Sequence, residues 1–217
     1  MIFEQHEIIA KGAEAIIYNG SFLNTSIILK QRLEKTYRLP EIDAEIRKRR
    51  IRAEARVMTL AWKNRINVPI LFGIDSHNQT LIIEKIQGDL LYSLLNINNN
   101  RHLEQIFKNL GEQVALLHEN DIIHGDLTVF NVIVNQQIEP WLIDFGLGYI
   151  SIETERRADD LLTFYNTLKA ITPSFEGLFE NFKTGYLEKY VEGKKIFEQV
   201  KKIQSRARYI AREDRLE

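Results

Sequence analysis

The stretch "IIHGDLTVFNVIV", residues 122–134, carries His124, Asp126 and Asn131 in the spacing His-x-Asp-x-x-x-x-Asn, and "WLIDFGLGYI", residues 141–150, places Asp144 in an Asp-Phe-Gly. Carboxylate and amide side chains at the ends of apolar, strand-like runs are costly to bury, so a spaced set of them asks for a chemical reason. Phosphoryl transfer supplies one. It needs a carboxylate to orient the acceptor oxygen and take its proton, and metal ions on hard oxygen ligands to neutralise the spreading charge. On that reading Asp126 is the base, Asn131 and Asp144 hold Mg²⁺, and Gly146 lets the backbone turn after the metal ligand. Asp and Asn also cap turns, which would account for any one of them alone but not for the spaced constellation. His124 reads as a structural hydrogen-bonder beside the site. His118 reads as a packing residue in a helix-end turn, and its distance from His124 in sequence is wrong for a helical metal pair.

A phosphoryl-transfer site also needs a cation on the nucleotide phosphates. Lys30 ends the apolar strand "SIILK", which matches the Val-Ala-Ile-Lys pattern of kinases. Glu54, in "RAEARVM", would fix its ammonium through an ion pair; Glu41 and Glu45 are rivals, but Glu54 lies nearer the middle of the helix. The base of ATP needs apolar walls and backbone hydrogen bonds. "LIIEKIQG", residues 81–88, offers a strand ending in a Gly-bounded connection, with the backbone of Glu84 and Ile86 facing the adenine and Ile83 behind it.

These residues must be carried by elements of two kinds. "EIIAKG", "AEAIIYNG" and "TSIILKQRL" are short β-branched runs punctuated by Gly and Asn, as in antiparallel strands. From Pro40 to about Asn64 the period becomes helical, with Ile42, Ile46, Ala53, Val57, Leu60 and Ala61 as the apolar stripe. "VPILFGID" and "TLIIEKIQG" return to strand, with Ser76 to Gln79 as their turn. After Gly88 the balance tips to helix. "GDLLYSLLN" fits a short one, "NINNN" at 96–100 a polar loop tip, and Leu103 to Leu117 a long amphipathic one. "NVIVN" and "PWLID" form a hairpin that would hold the polar cluster rigid. Three more amphipathic helices follow, marked by Leu161 to Leu168, Phe175 to Tyr186 and Ile196 to Ile210.

The expected fold is therefore α+β and bilobal: a β-rich N-terminal lobe with one main helix over 1–87, and a mainly helical C-terminal lobe over 88–217, with the ligand in the cleft between them. A chain of 217 residues with 44% hydrophobic and 27% charged residues can bury such a core, and a net charge of −1 selects neither nucleic acid nor membrane globally. With no Cys there is no disulfide scaffold or thiolate metal site, which fits a reducing compartment. No signal peptide or membrane-crossing run is visible, so a cytoplasmic location is expected, or a nuclear one as well in a eukaryote.

Lys30, Glu54, "HGDLTVFN" and "IDFG" together resemble the protein-kinase-like superfamily. More narrowly, "KGAEAIIYNG", "YRLPEIDAEIRKRRIRAEAR" and "IIHGDLTVFNVIV…LIDFGLGYI" resemble the PRPK family, the small atypical kinase subunit of the KEOPS (EKC) complex, from about residue 8 to 170. That resemblance implies a protein-kinase-like fold and an ATP- and Mg-dependent serine/threonine kinase or ATP hydrolase. It implies Asp126 as base, Asn131 and Asp144 as metal ligands, and Lys30 with Glu54 as the phosphate-binding pair. "KGAEA" would stand for the Gly-rich loop, with Gly12 and Ala13 at the phosphates, although this fragment alone fits an ordinary turn. Asp160 would support the catalytic loop from a helix, or else simply cap that helix.

The implied partners are the threonylcarbamoyl-transferase subunit and a further small subunit of KEOPS, in the making of threonylcarbamoyl-adenosine in tRNA. The tRNA would be met indirectly or weakly, and no membrane is involved. Few residues separate Asp-Phe-Gly from Asp159 and no Ala-Pro-Glu occurs, so a peptide-docking platform is in doubt. The tail keeps Arg206 and Arg208 but has Ala207 where the family tends to have Gly, which weakens a tail role. "RKRRIR", 47–52, fits either tRNA phosphates or a solvated face offset by nearby Glu. Two competing readings remain: a small-molecule kinase of the aminoglycoside or choline type, and a nucleotide-binding pseudokinase scaffold.

Overall fold

The structure, a computed structural model, describes residues 3–95 and 102–213, with side chains through residue 206. The loop expected at 96–100 lies outside the described residues, as do the side chains of Ala207, Arg208 and Ile210. The N-terminal lobe is built on β1 (Glu4–Lys11), β2 (Ala15–Phe22), β3 (Thr25–Arg32), helix α1 (Pro40–Lys63), β4 (Leu71–Asp75) and β5 (Thr80–Glu84). The strands form one antiparallel sheet in the order β1-β2-β3-β5-β4. β1 is an edge strand exposed along its length, whereas β3, in the middle, buries Ile27 and Leu29 against Ile82. That alternation is the period of two of a pleated strand, and it carries Lys30 to the face opposite Leu29.

Helix α1 lies across the sheet. The expected stripe is only partly the buried one. Ile42 and Ala53 are exposed and Ile46 half-buried, while Ile51, Glu54, Ala55, Val57, Met58 and Ala61 are buried. The charged start of the helix faces solvent except at Asp43, which is buried beneath Arg38 and Arg47. The apolar packing lies in the second half, Ile51 and Ala55 on Leu81 and Val57 to Ala61 in the core of the other lobe. The period was right but the face rotates once Glu54 must point inward.

The chain then runs through β6 (Asp89–Leu90), α2 (Leu91–Leu95), α3 (Leu103–Glu119), β7 (Ile122–Ile123), a 3₁₀ turn over Val129–Asn131, β8 (Val132–Val134), β9 (Pro140–Leu142) and β10 (Tyr149–Ile150). It finishes with α4 (Thr154–Ile171), α5 (Phe175–Lys189) and α6 (Gly193–Glu213). The expected β8–β9 hairpin is present, and β6 pairs on its other side. β7 pairs with β10, so the chain after Asp-Phe-Gly returns directly to the sheet and enters α4. The three short strands outside the hairpin were not anticipated, because two residues leave no period to read. The result is α+β, with a β-rich lobe and a helical lobe as expected.

The main core belongs to the helical lobe, where α3, α4, α5 and α6 enclose Phe107, Leu110, Phe164, Phe182, Tyr186 and Ile196. α3 and α5 touch backbone to backbone. A Cβ on Gly111 would lie 1.9 Å from the Phe182 carbonyl oxygen, and one on Gly185 would lie 1.9 Å from that of Lys108. Only glycine allows this approach, and it lays α5 directly against the middle of α3.

Candidate active site

On the sheet side of the cleft, four charged groups form one cluster. Lys30 Nζ donates to Glu54 Oε1 at 2.6 Å and to Asp144 Oδ1 at 2.6 Å. Glu54 Oε2 accepts in turn from Arg32 Nη2 at 2.5 Å. Glu54 is 2% exposed, so its charge is tolerable only because two cations meet it. Burial pushes the Lys30 ammonium toward neutrality, but Glu54 and Asp144 outweigh it and hold its pKa above the usual 10.5. Partial burial likewise works against ionisation of Asp144; the Lys30 ammonium and the Gly146 N–H prevail and hold its carboxyl below 3.8. Both groups are charged at neutral pH.

Asp144 itself adopts the left-handed region, φ 63. The turn expected at Gly146 thus falls on Asp144 itself, and Gly146 is not in the left-handed region. Glycine at 146 leaves room for Asp144: its N–H donates to Asp144 Oδ1 at 3.0 Å, and a Cβ there would lie 2.9 Å from that oxygen and push it aside.

On the other side of the cleft, the 3₁₀ turn after Asp126 brings Asn131 back to it. Asn131 Nδ2 donates to the Asp126 carbonyl at 2.8 Å and to Asp126 Oδ2 at 2.9 Å. The two halves are joined by backbone, since Ile143 N–H donates to the Asn131 carbonyl at 2.9 Å and places Asp144 next along the chain. Asp126 and Asn131 are both half-buried and reachable.

The loop carrying Asp126 is fixed from beneath. Asp160, in the second turn of α4, accepts from the backbone N–H of His124 at 2.6 Å and of Gly125 at 2.8 Å. Because α4 begins at Thr154, Asp160 is not its cap but the support of this loop. His124 is buried, and burial holds its pKa below 6.5 despite the surrounding carboxylates. Its Nε2 faces the Ile143 carbonyl at 3.1 Å and so carries the proton, while Nδ1 accepts from Asp126 N–H at 3.4 Å. His124 is the structural hydrogen-bonder that was expected.

The remaining candidates sit around this centre. Gly12 N–H donates to Ala15 O at 2.9 Å and closes the β1–β2 turn, and Lys35 Nζ donates to the Ala13 carbonyl at 2.6 Å. A Cβ on Gly12 would meet only Ala15 O, at an ordinary 3.5 Å, so the loop's own packing does not demand glycine there. Ile83 is half-buried in β5, between Ile28 and Leu71. The Glu84 N–H is committed to the Ile70 carbonyl at 2.8 Å, and Ile86 lies beyond the end of the strand, outside any ladder.

Sequence reasoning missed Arg32, the second cation on Glu54. The signal was available, because residues two apart on a strand share a face and Lys30 had already been aimed into the cleft. It also divided the basic run at 47–52 too simply. Arg47 pairs with Asp43 at 2.6 Å, Arg50 with Glu14 at 2.7 Å and Lys48 with Glu45 at 4.0 Å, whereas Arg49 and Arg52 are exposed.

The donor set suits a nucleotide-bound Mg²⁺. With its amide hydrogens on Asp126, Asn131 leaves Oδ1 to face a ligand; Asp144 Oδ1 is occupied, and its Oδ2 has no hydrogen-bond partner among the described residues. Two hard oxygens fit an ion that takes its other ligands from phosphates and water. Among the described residues no cluster of three or more His, Cys, Asp or Glu forms a self-sufficient metal cage, and no helix is long and apolar enough to cross a membrane.

The family model described as RIO domain matches residues 29–163. The chain is 34% identical over 212 residues to the KEOPS complex subunit Bud32 of Pyrococcus abyssi, covering 94% of this chain and 96% of that protein. It is 32% identical over 207 residues to the EKC/KEOPS complex subunit bud32 of Dictyostelium discoideum, covering 93% and 82%. A probable bifunctional tRNA threonylcarbamoyladenosine biosynthesis protein of Methanosphaera stadtmanae is 35% identical over 201 residues, covering 92% of this chain but only 36% of that protein. The chain thus spans about a third of the length of such bifunctional relatives. It belongs to the RIO-domain family and, within it, to the family of the Bud32 proteins.

Proposed function

We propose that this protein is an ATP- and Mg²⁺-dependent phosphotransferase, a serine/threonine kinase or ATP hydrolase, acting as a KEOPS subunit in threonylcarbamoyl-adenosine modification of tRNA. The observation that carries the chemistry is the bridge made by Lys30 Nζ between Glu54 and Asp144, 2.6 Å to each, facing the Asp126–Asn131 pair. Bound ATP–Mg²⁺ supplies the phosphoryl group and offsets the charge that develops on it. Lys30, held by Glu54, orients the phosphates. Asp126 orients the acceptor hydroxyl, or a water, and takes its proton. Asn131 and Asp144 would hold the ion, Gly12 and Ala13 would lie at the phosphates, and the backbone near Glu84 and Ile86, with Ile83 behind it, would receive the adenine. The Glu84 N–H being committed, its carbonyl and the Ile86 N–H are the groups for that contact.

The names of the relatives support the complex. The partners are other KEOPS subunits: the threonylcarbamoyl-transferase subunit and a further small one, with tRNA met weakly. The division at 87–88 is taken as the lobe boundary, and the location as cytoplasmic, or nuclear as well in a eukaryote. The same likeness disfavours a small-molecule kinase, and the intact ion cluster disfavours an inert scaffold.

The test is incubation with labelled ATP, with and without the transferase subunit and tRNA. Label on protein identifies a kinase, and free phosphate stimulated by the partner identifies an ATP hydrolase. Asp126→Ala, folded by circular dichroism, should lose about a thousandfold or more in turnover. Persistence of turnover in that variant would sink the assignment.

A further inference from the structure

The loop bearing Asp126 is anchored by more than Asp160. His118, at the end of α3 and fully buried, turns Nε2 to Asp160 Oδ2 at 3.3 Å and Nδ1 to the Tyr186 hydroxyl at 2.8 Å. The Asp160 carboxylate only accepts, so Nε2 must carry a proton to be stable beside it. Nδ1 is then free to accept, and the Tyr186 O–H is the donor it meets. Tyr186 is fully buried on α5, and Gly111 and Gly185 permit the helix approach that brings it there. Arg157 Nε donates to the His118 carbonyl at 3.0 Å, so the histidine's backbone is pinned as well.

We propose that Tyr186 is a positioning residue for phosphoryl transfer. Its hydroxyl fixes the Nε2–H tautomer of His118, which holds Asp160, which in turn holds the His124 and Gly125 amides that set Asp126. The path runs Tyr186 O–H to His118 Nδ1, His118 Nε2–H to Asp160 Oδ2, and Asp160 to the loop backbone. Without the hydroxyl, Nδ1 is a buried acceptor with no donor. The opposite tautomer, in which Nδ1 takes the proton, would aim a lone pair at the Asp160 carboxylate. Either result loosens Asp160 and the loop above it. The cluster of Lys30, Glu54 and Asp144 shares no side-chain hydrogen bond with this chain of contacts, so nucleotide binding should not feel the change.

The inference rests on the phosphoryl-transfer reading for its kinetic arm only. Tyr186→Phe keeps the ring against Phe182, Tyr190 and Phe197 and removes one oxygen. In the full chain it should lower kcat roughly 3- to 10-fold, the span a neutral hydrogen bond allows, with KM for ATP within about twofold. Tyr190→Phe, in the same aromatic cluster but off His118, should leave both constants unchanged. The ¹⁵N spectrum of His118 should show the Nε2–H tautomer in the wild type and a mixture in Tyr186→Phe, and the Gly125 amide should exchange faster in that variant. An unchanged kcat, a loss confined to KM, or an equal loss in Tyr190→Phe overturns the proposal. If the wild type shows no turnover, the functional reading fails separately, and the tautomer and the Gly125 exchange rate still decide: unchanged values overturn the positioning role, changed values support it.

Discussion

The two walls of the cleft are built on different physics. On the sheet side, Lys30, Arg32, Glu54 and Asp144 are held by charge, in contacts of 2.5–2.6 Å that any stronger ion or phosphate competes for. On the helical side, Asp126 and Asn131 are held by hydrogen bonds to backbone and by a buried hydrogen-bonded chain of His124, Asp160, His118 and Tyr186. Charge is easily re-partnered, because ammonium and carboxylate accept many geometries. A directed hydrogen-bond network has one arrangement. On the proposed function, a site that exchanges ATP and ADP while keeping its base fixed would need the first kind of wall around the nucleotide and the second around the base. Arg32 completes the picture, since on that function it would keep Glu54 paired if Lys30 turned to a phosphate.

The sharpest way to break the sheet side is Glu54→Gln. It leaves Lys30 and Arg32 facing a neutral amide in a site where Glu54 is 2% exposed. Stability should fall by roughly 3 kcal/mol, near the low end for a broken buried pair, since Asp144 still meets Lys30. Urea denaturation measures it, and KM for ATP should rise in parallel. A loss below about 1 kcal/mol, the scale of an exposed pair, would mean that the cluster is solvated and the contrast between the walls is false.

Proton titration separates the walls without disturbing the nucleotide contacts. Asp144 has its folded pKa depressed, so its contribution is full above 3.8 and fades as pH falls through the folded value. Lys30 has its folded pKa raised, so its contribution is full below 10.5 and fades as pH rises through the folded value. Neither changes stability between those limits. His124 does: its folded pKa lies below 6.5, so its contribution is full above 6.5 and is lost as pH falls toward the folded value. In that acid window the wild type should lose up to about 1.4 kcal/mol per pH unit from this one group. His124→Gln, which keeps a donor for the Ile143 carbonyl, should flatten that part of the profile. An identical slope in the variant would show that His124 does not titrate across folding.

Much of this was legible in the sequence, for physical reasons that also explain what was not. Asp126, Asn131 and Asp144 could be singled out because phosphoryl transfer, if that is their work, constrains residue type and interval at once, and the fold does bring the three segments together. Lys30 and Glu54 could be paired because each sits in a long, periodic element. Arg32 lay two residues from Lys30 and was overlooked because a second cation on one carboxylate is not part of the motif. His118 and Tyr186 were harder. They are far apart in the chain, and α3 and α5 meet closely only because Gly111 and Gly185 face opposite carbonyls, a pairing that no single-helix period reveals. The inward face of α1 was misjudged for a related reason: a buried glutamate carries no hydrophobic signal, yet it sets the rotation of the helix.

The smallest effect tests whether ion pairing as such, or buried ion pairing, holds the sheet side. Arg50 and Glu14 form a pair at 2.7 Å between α1 and the β1–β2 turn, so α1 carries an exposed example beside the buried one. Their side chains are 38% and 56% exposed, against 1% for that of Glu54. Water screens the first pair and not the second, and the long arginine loses conformational freedom in making its contact. Arg50→Ala should therefore cost only about 0.2–1 kcal/mol, shrinking further as salt is raised past a Debye length of about 8 Å. The loss from Glu54→Gln should persist in the same salt series. If the two variants respond to salt alike, burial is not what distinguishes the cluster, and the charged wall is no more than a surface network that happens to line the cleft.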